Sequence, residues 1–352
     1  MKIRIITIHG IPNFGSVFQS YALCEYLKSQ GYTDVEIIDY NPTYYKSKSL
    51  RAIAGKFLNF GSYMRRTRKF REFIEHNLPL SKDSFLSIEE LRKYDFSADV
   101  YIAGGDQLWN VYHTCGNDDA YKLTWVSGKK ISYATSLGQT DFTTEQIKKL
   151  AEKISDFSAV SVRESTSVEM LQKAGVQATH CVDPVYLLPS SVYERFVKPV
   201  NEPPYLLVYL VTPSELLEKT IEVISGKYGL KVILCSGFSK KCSCDKFLKD
   251  LGPDEILSYI YHADFVLSSS FHATSFSLIF EKQFLTILPD KHTNERILDL
   301  LSIRGLDNHI ITQESQLIHI FDHMIDYASL ESYEDKIEAS KAYLKGALSD
   351  AW

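Results

Sequence analysis

The sequence predicts an α/β protein with two parallel-sheet domains, and three observations carry that prediction. Short apolar, strand-like runs alternate with helix-like segments along almost the whole chain, the pattern of parallel strands joined by helical crossovers. Several of those runs end in loops rich in Gly, Ser and Asn that open directly into a helix. A proline-rich stretch then divides the pattern in two. The length of 352 residues agrees, since domains average roughly 150 residues each.

In chain order, residues 3–8 form the first strand, followed by the loop His9 to Gly15 and a helix from about Ser16. The apolar positions Val17, Tyr21, Cys24 and Leu27 recur at helical spacing, and Gly31 stops the helix. Glu36 to Tyr40, Val100 to Ala103, Ile131 to Ala134 and Ala159 to Val162 read as further strands of a first domain, residues 1–190. The segment from Leu188 to Pro204 holds Pro189, Pro199, Pro203 and Pro204 and reads as a linker. A second domain, 204–328, has strands at Tyr205 to Val211, Lys231 to Leu234, Phe265 to Leu267 and Phe284 to Ile287. The tail 329–352 is helical and too polar to form a domain, so it is expected to pack back on the first one. Two Rossmann-like units facing across a cleft are the expected architecture.

Composition narrows the function classes. Hydrophobic content of 45% and charged content of 24% are ordinary for a soluble globular protein. A net charge of −5 argues against a dedicated nucleic-acid binder. The six cysteines are scattered through apolar segments, which suits reduced thiols better than a disulfide framework. Cys242 and Cys244 lack a second Cys/His pair at zinc-site spacing, so no metal site is expected. The stretch Met1 to Ile8 reads as a strand and not as a secretory signal, and no apolar run approaches the ~20 residues that cross a bilayer. The expected location is the cytoplasm.

The segment Ala263 to Ser277 is the most informative. It begins as a buried strand, then presents Ser268, Ser269, Ser270, His272 and Thr274 around a helix start. The carboxyl end of a strand meeting a helix N-terminus is where open α/β sheets bind ligands. The helix start favours phosphate or carboxylate, and imidazole exchanges protons near neutral pH. His272 is therefore either a proton-transfer residue or a helix-capping one. In the loop His9 to Gly15, Asn13 can bond hydroxyls or serve an ordinary tight turn. The loop Gly104-Gly105-Asp106-Gln107 repeats the logic, with Asp106 as a base, a sugar-hydroxyl acceptor or a helix cap. Arg163 follows a strand directly, suited to a carboxylate or phosphate ligand or to an ion pair with Glu164 or another neighbour. Lys291, His292 and Arg296 complete an anion site on the second domain or are solvated charges at a helix start. From Lys46 to Arg71 there are nine basic residues, no acidic ones and interleaved aromatics. By its place in the chain this segment, 46–73, falls in the first domain. It either lies on an anionic membrane surface or packs with a solvated basic face.

The ordered set of these segments resembles the polysaccharide pyruvyl transferase family. The similar stretches are Thr7 to Leu23, Gly104-Gly105-Asp106-Gln107-Leu108-Trp109-Asn110, Ser132 to Gly138, Val160 to Ser165, Val182 to Leu188, the His272 segment and Asn294-Glu295-Arg296-Ile297. The resemblance implies a GT-B-like fold and transfer of pyruvate from phosphoenolpyruvate to two hydroxyls of a sugar, as a cyclic ketal. It places His272 at the family's catalytic histidine and Arg163 at its donor-binding arginine. Ser270, Lys291 and Arg296 then join the donor side, and His9, Asn13, Asp106 and Gln107 the acceptor side. The resemblance implies phosphoenolpyruvate as the co-substrate and no cofactor. The acceptor it implies is a sugar of a polysaccharide or lipid-linked precursor, and the membrane-surface alternative for segment 46–73 would add peripheral contact at the cytoplasmic membrane. Rival classes are a nucleotide-sugar glycosyltransferase of the same fold and a non-catalytic sugar-binding module. The chain has Gly105 where many relatives carry serine and Ala273 where many carry glycine.

Overall fold

The computed structural model describes residues 1–45, 59–237, 239–288, 294–330 and 332–349. By internal contacts the chain divides into two compact units. The first comprises Met1–Ser47, Ile74–Leu188 and Tyr333–Trp352, and the second Lys48–Phe73 and Pro189–Ser332.

The first unit is built on a parallel sheet of β1 (Lys2–Ile6), β2 (Asp34–Tyr40), β3 (Leu80–Phe85), β4 (Val100–Gly104) and β5 (Lys129–Tyr133), in the order β3-β2-β1-β4-β5. Isolated parallel bridges, Ile131 to Ala159 and Thr135 to Val162, carry the edge on towards the short pair β6 (Ser161–Val162) and β7 (Thr179–His180). The inner strands are apolar on both faces because helices cover both sides: Ile3, Ile5, Ile6, Ile102 and Ala103 are all fully buried. β3 was not expected. Its sequence Leu-Ser-Lys-Asp-Ser-Phe is exposed through its middle, and an edge strand of that kind carries no apolar alternation.

The second unit has β8 (Tyr205–Tyr209), β9 (Lys231–Cys235), β10 (Lys246–Leu248), β11 (Phe265–Ser268), β12 (Gln283–Ile287) and β13 (Ile310–Ile311), in the order β10-β9-β8-β11-β12-β13, all parallel. In both sheets the winding reverses beside the first strand, between β1 and β4 and between β8 and β11. These are the switch points at which such sheets bind ligands.

One assignment changes. Residues 60–73 belong to the second unit, not the first. Within the helix Phe60–Asn77, Arg65 pairs with Asp250 at 2.6 Å and Lys69 with Glu255 at 2.7 Å, and Phe73 packs on Phe196 with ring centroids 5.1 Å apart. Part of the basic charge is thus engaged by acids of the same unit. Arg68 stays exposed beside Phe60 and Met64. Lys46, Lys48, Arg51 and Lys56 lie outside the described residues. No helix among the described residues is long and apolar enough to cross a membrane.

The tail lies where the sequence predicts. The helix Glu334–Leu348 does pack on the first unit, as an integral piece of it. The Tyr343 hydroxyl donates to the Ser132 carbonyl at 2.9 Å, and the Val182 N–H donates to Ser340 Oγ at 2.9 Å. Tyr343→Phe should cost about 1 kcal/mol for the lost hydrogen bond, and Tyr343→Ala about 3–5 kcal/mol. Urea denaturation followed by the fluorescence of Trp109 and Trp125 measures both. Equal stability of the two variants would show that the helix does not hold this unit together.

Candidate functional site

At the first switch point, the helix Phe14–Ser29 starts with Asn13 as its cap, the Asn13 Oδ1 accepting from the N–H groups of Gly15 at 3.0 Å and Ser16 at 3.4 Å. The helix is buried on nearly every side through its first three turns, so Ser16, Gln19 and Ser20 are buried with the apolar residues. Gln19 donates through Nε2 to Thr7 Oγ1 at 2.9 Å and to the Ser16 carbonyl at 3.0 Å, and Ser16 Oγ donates to Asp106 Oδ2 at 2.5 Å. Asp106 Oδ1 accepts the Gln107 N–H at 2.8 Å. The loop after β4 is left-handed at Gly105 (φ 48°) and Asp106 (φ 60°), a conformation that costs a non-glycine residue about 1–3 kcal/mol. A Cβ on Gly105 would come 1.8 Å from Gln19 Oε1. A serine here therefore requires the Gln19 amide to leave its bonds, which accounts for glycine at this position in this chain.

Asn13, Ser16, Asp106 and Gln107 line one cavity of about 290 Å³ in the first unit. His9, expected beside them, is instead buried at the base of the loop. Its Nδ1 lies 3.1 Å from the Thr7 carbonyl and its Nε2 2.9 Å from Asp39 Oδ1. Burial works to raise the Asp39 carboxyl. Hydrogen bonds from His9, Ser84 and Asn41 and the charge of His9 outweigh it and hold the group below the usual carboxylate range. His9 thus braces the loop from β1 to the helix.

Arg163 also belongs to the first unit. Its Nη1 lies 2.9 Å from Asp183 Oδ2, the two side chains being 2% and 0% exposed. Asp183 in turn accepts the Val185 N–H at 3.0 Å. The ion pair weighed in the sequence is thus made with Asp183, not with Glu164. Glu164 is itself buried and accepts from Ser136 Oγ, from the Leu137 N–H at 3.3 Å and from Ser167 Oγ at 2.9 Å.

At the second switch point, β11 runs through Ser268 to the helix Phe271–Ile279. Ser268 Oγ donates to the Tyr209 carbonyl of β8 at 2.7 Å and accepts the Ser270 N–H at 2.9 Å, fixing the turn. Ser270 caps the helix, accepting from the Ala273 N–H at 3.4 Å. His272 lies in its first turn, 6% exposed, where N–H groups and the helix dipole favour an anion. Arg296, near the start of the helix Glu295–Ile303, has its guanidinium 5.6 Å from the Phe271 ring centroid. Ser270, His272 and Arg296 are therefore grouped at one helix start. Ala273 is in an ordinary helical position, where alanine is favourable. Lys291 and His292 lie outside the described residues.

Arg66, not singled out by its sequence context, lines a small pocket with Tyr209, Leu210, Cys235 and Ser236 at the carboxyl ends of β8 and β9. Its membership of a basic run gave no sign of this. Among the described residues no group of three or more His, Cys, Asp or Glu could hold a metal. Burial pushes the Cys242 thiol up to about 12, and Cys244 is also raised by burial.

A family model described as polysaccharide pyruvyl transferase matches residues 13–291. No curated protein sequence matches the chain. Among solved structures it is similar to UDP-GlcNAc 2-epimerase of Methanocaldococcus jannaschii in complex with UDP-GlcNAc and UDP (16% identity, TM-score 0.58, 98% of this chain and 99% of that one). It is likewise similar to UDP-N-acetylglucosamine 2-epimerase from Rickettsia bellii (13% identity, TM-score 0.59, 100% and 97%). The Neisseria meningitidis UDP-GlcNAc 2-epimerase bound to UDP-GlcNAc matches at 10% identity, TM-score 0.59, 99% and 100%. At these identities the likeness is one of fold, the GT-B class expected from the sequence.

The Arg163–Asp183 pair separates two roles for the arginine. Arg163→Met should cost about 3–5 kcal/mol in urea denaturation, because it leaves a buried carboxylate without its partner. The double variant with Asp183→Asn should recover part of that loss. A variant of full stability that has lost only donor binding would make Arg163 a ligand of the donor and not a brace.

Proposed function

Because this chain belongs to the polysaccharide pyruvyl transferase family, we propose that it transfers pyruvate from phosphoenolpyruvate to two hydroxyls of a sugar, forming a cyclic ketal and releasing phosphate. The observation that carries the donor side is the grouping of His272, Ser270 and Arg296 at the start of the helix Phe271–Ile279. Phosphoenolpyruvate carries a phosphate and a carboxylate, and backbone N–H groups with a guanidinium match that charge. His272 is the general acid that delivers a proton to the methylene carbon. The adjacent carbon, made electrophilic, is attacked by one sugar hydroxyl and then by the second as phosphate departs. The atoms balance: of the two hydroxyl protons, one replaces the proton that becomes part of the methyl group, and the other leaves with hydrogen phosphate. The scheme calls on neither a metal nor a nucleotide. Asn13, Asp106 and Gln107 hold the acceptor sugar, drawn from a polysaccharide or a lipid-linked precursor. In the latter case the exposed Phe60, Met64 and Arg68 are the residues that would meet a membrane surface.

A thermal-shift titration with phosphoenolpyruvate against UDP-GlcNAc tests the donor. A ligand at 100 times its Kd should add about 2.7 kcal/mol of stability. Stabilisation by phosphoenolpyruvate and not by UDP-GlcNAc is expected, and the reverse would replace this reading with a nucleotide-sugar reaction. His272→Gln should fold normally and lose roughly 10²–10⁴-fold in kcat, read as phosphate released in the presence of acceptor. Near-full activity in that variant would remove His272 from the chemistry.

A further inference from the structure

The cavity beside β1 and β4 has an aromatic wall that the assignment of Asn13, Asp106 and Gln107 does not use. Tyr44 and Tyr45 line it together with the polar residues, their ring centroids 4.8 Å apart and their planes at 63°. Both hydroxyls are tied to neighbouring side chains. Tyr44 donates to Asp118 Oδ2 at 2.8 Å, an oxygen that also accepts the Tyr40 hydroxyl at 2.6 Å. The Tyr45 hydroxyl lies 3.0 Å from that of Tyr121. Asp118 is itself fixed, its Oδ1 accepting the Ala120 N–H at 2.9 Å, and Lys122 Nζ donates to the carbonyls of Gly116 at 2.8 Å and Asp118 at 3.1 Å. Burial, the neighbouring Tyr45 and the Asp118 charge hold the Tyr44 hydroxyl protonated far beyond its ordinary range. The wall is therefore a pair of neutral rings with little freedom to turn.

We infer that this cavity is the subsite for a single neutral pyranose ring of the acceptor, with Tyr44 and Tyr45 as its apolar wall, Asp106 reading its hydroxyls and Asp118 positioning the wall. A pyranose has a C–H face and a rim of hydroxyls, so it needs an apolar surface on one side and acceptors on the other. The cavity supplies both. Its volume of about 290 Å³ is at the small end of ligand pockets, about 300–1,000 Å³, which suits one ring and not a nucleotide sugar. Its described lining includes the Asp106 carboxylate, whose charge opposes phosphate, diphosphate or phosphoenolpyruvate. A carboxylate offers about four lone-pair positions. Ser16 Oγ and the Gln107 N–H take two of them, leaving capacity for a sugar hydroxyl. The inference rests on the assignment of the acceptor to the first unit.

The probes are the methyl α- and β-pyranosides of glucose, galactose and mannose, added without donor to the full chain and observed by saturation-transfer NMR. At least one should bind, and Tyr44→Ala and Tyr45→Ala should each weaken it by about tenfold or more. Thermal stabilisation by phosphoenolpyruvate should persist in both variants. Tyr44→Phe keeps the ring and should bind within a few-fold of wild type. Asp118→Ala should raise the acceptor KM with a smaller change in kcat, and Asp118→Asn, whose amide oxygen still accepts, should restore most of it. Binding unchanged in the folded alanine variants, or no pyranoside binding while phosphoenolpyruvate still stabilises the chain, overturns the subsite and leaves the donor reading standing. Displacement of the pyranoside by UDP also overturns it. Tyrosine-dependent pyranoside binding without any effect of phosphoenolpyruvate upholds the subsite and sinks the donor reading.

Discussion

Parallel strands cannot be joined by tight turns, so each must be followed by a long return across the sheet. A sheet that winds both ways from its first strand must then have one place where adjacent connections leave in opposite directions. Here that happens twice, between β1 and β4 and between β8 and β11. The residues with chemical potential follow from this constraint. Asp106 and Gln107 come straight off β4, Asn13 and Ser16 off β1, and Ser270 and His272 off β11.

Polar groups buried next to those openings give them their shape. In the first unit, Gln19 holds Thr7 and Ser16 while Ser16 holds Asp106, so the loops after β1 and β4 share one network. Satisfied in this way, buried polar groups stiffen a site, whereas broken ones are costly. In the second unit Ser268 ties β11 to β8 and fixes the Ser270 turn. The two openings also differ in charge. One is walled by tyrosines and a carboxylate, and the other is formed by a helix start with Arg296 nearby.

Much of this was legible in the sequence because the inner strands are buried on both faces and appear as unbroken apolar runs. β1, β4, β8 and β11 were all found within a few residues of their ends. What stayed hidden has physical causes. β3 and β10 are partly exposed edge strands, and β13 is only two residues long. The apolar stripe of Val17, Tyr21, Cys24 and Leu27 identified its helix but gave no hint that Ser16, Gln19 and Ser20 are buried too. Arg163 was placed at a strand end, while its partner Asp183, 20 residues on, could be recognised only once both were buried together. Tyr44 and Tyr45 gave no signal, since two adjacent tyrosines after a strand look like any loop.

The helix Glu334–Leu348 bears on how the protein is made. It completes the first unit through contacts that span 211 residues of chain from Ser132 to Tyr343 and 158 from Val182 to Ser340. A ribosome adding about 5–20 residues per second needs on the order of ten to forty seconds to cover 211 residues. Throughout that interval the edge of the first sheet near β5 waits uncovered while Pro189–Ser332 of the second unit emerges. The first-begun unit is thus the last to be finished, and synthesis order and completion order run opposite to each other in this chain.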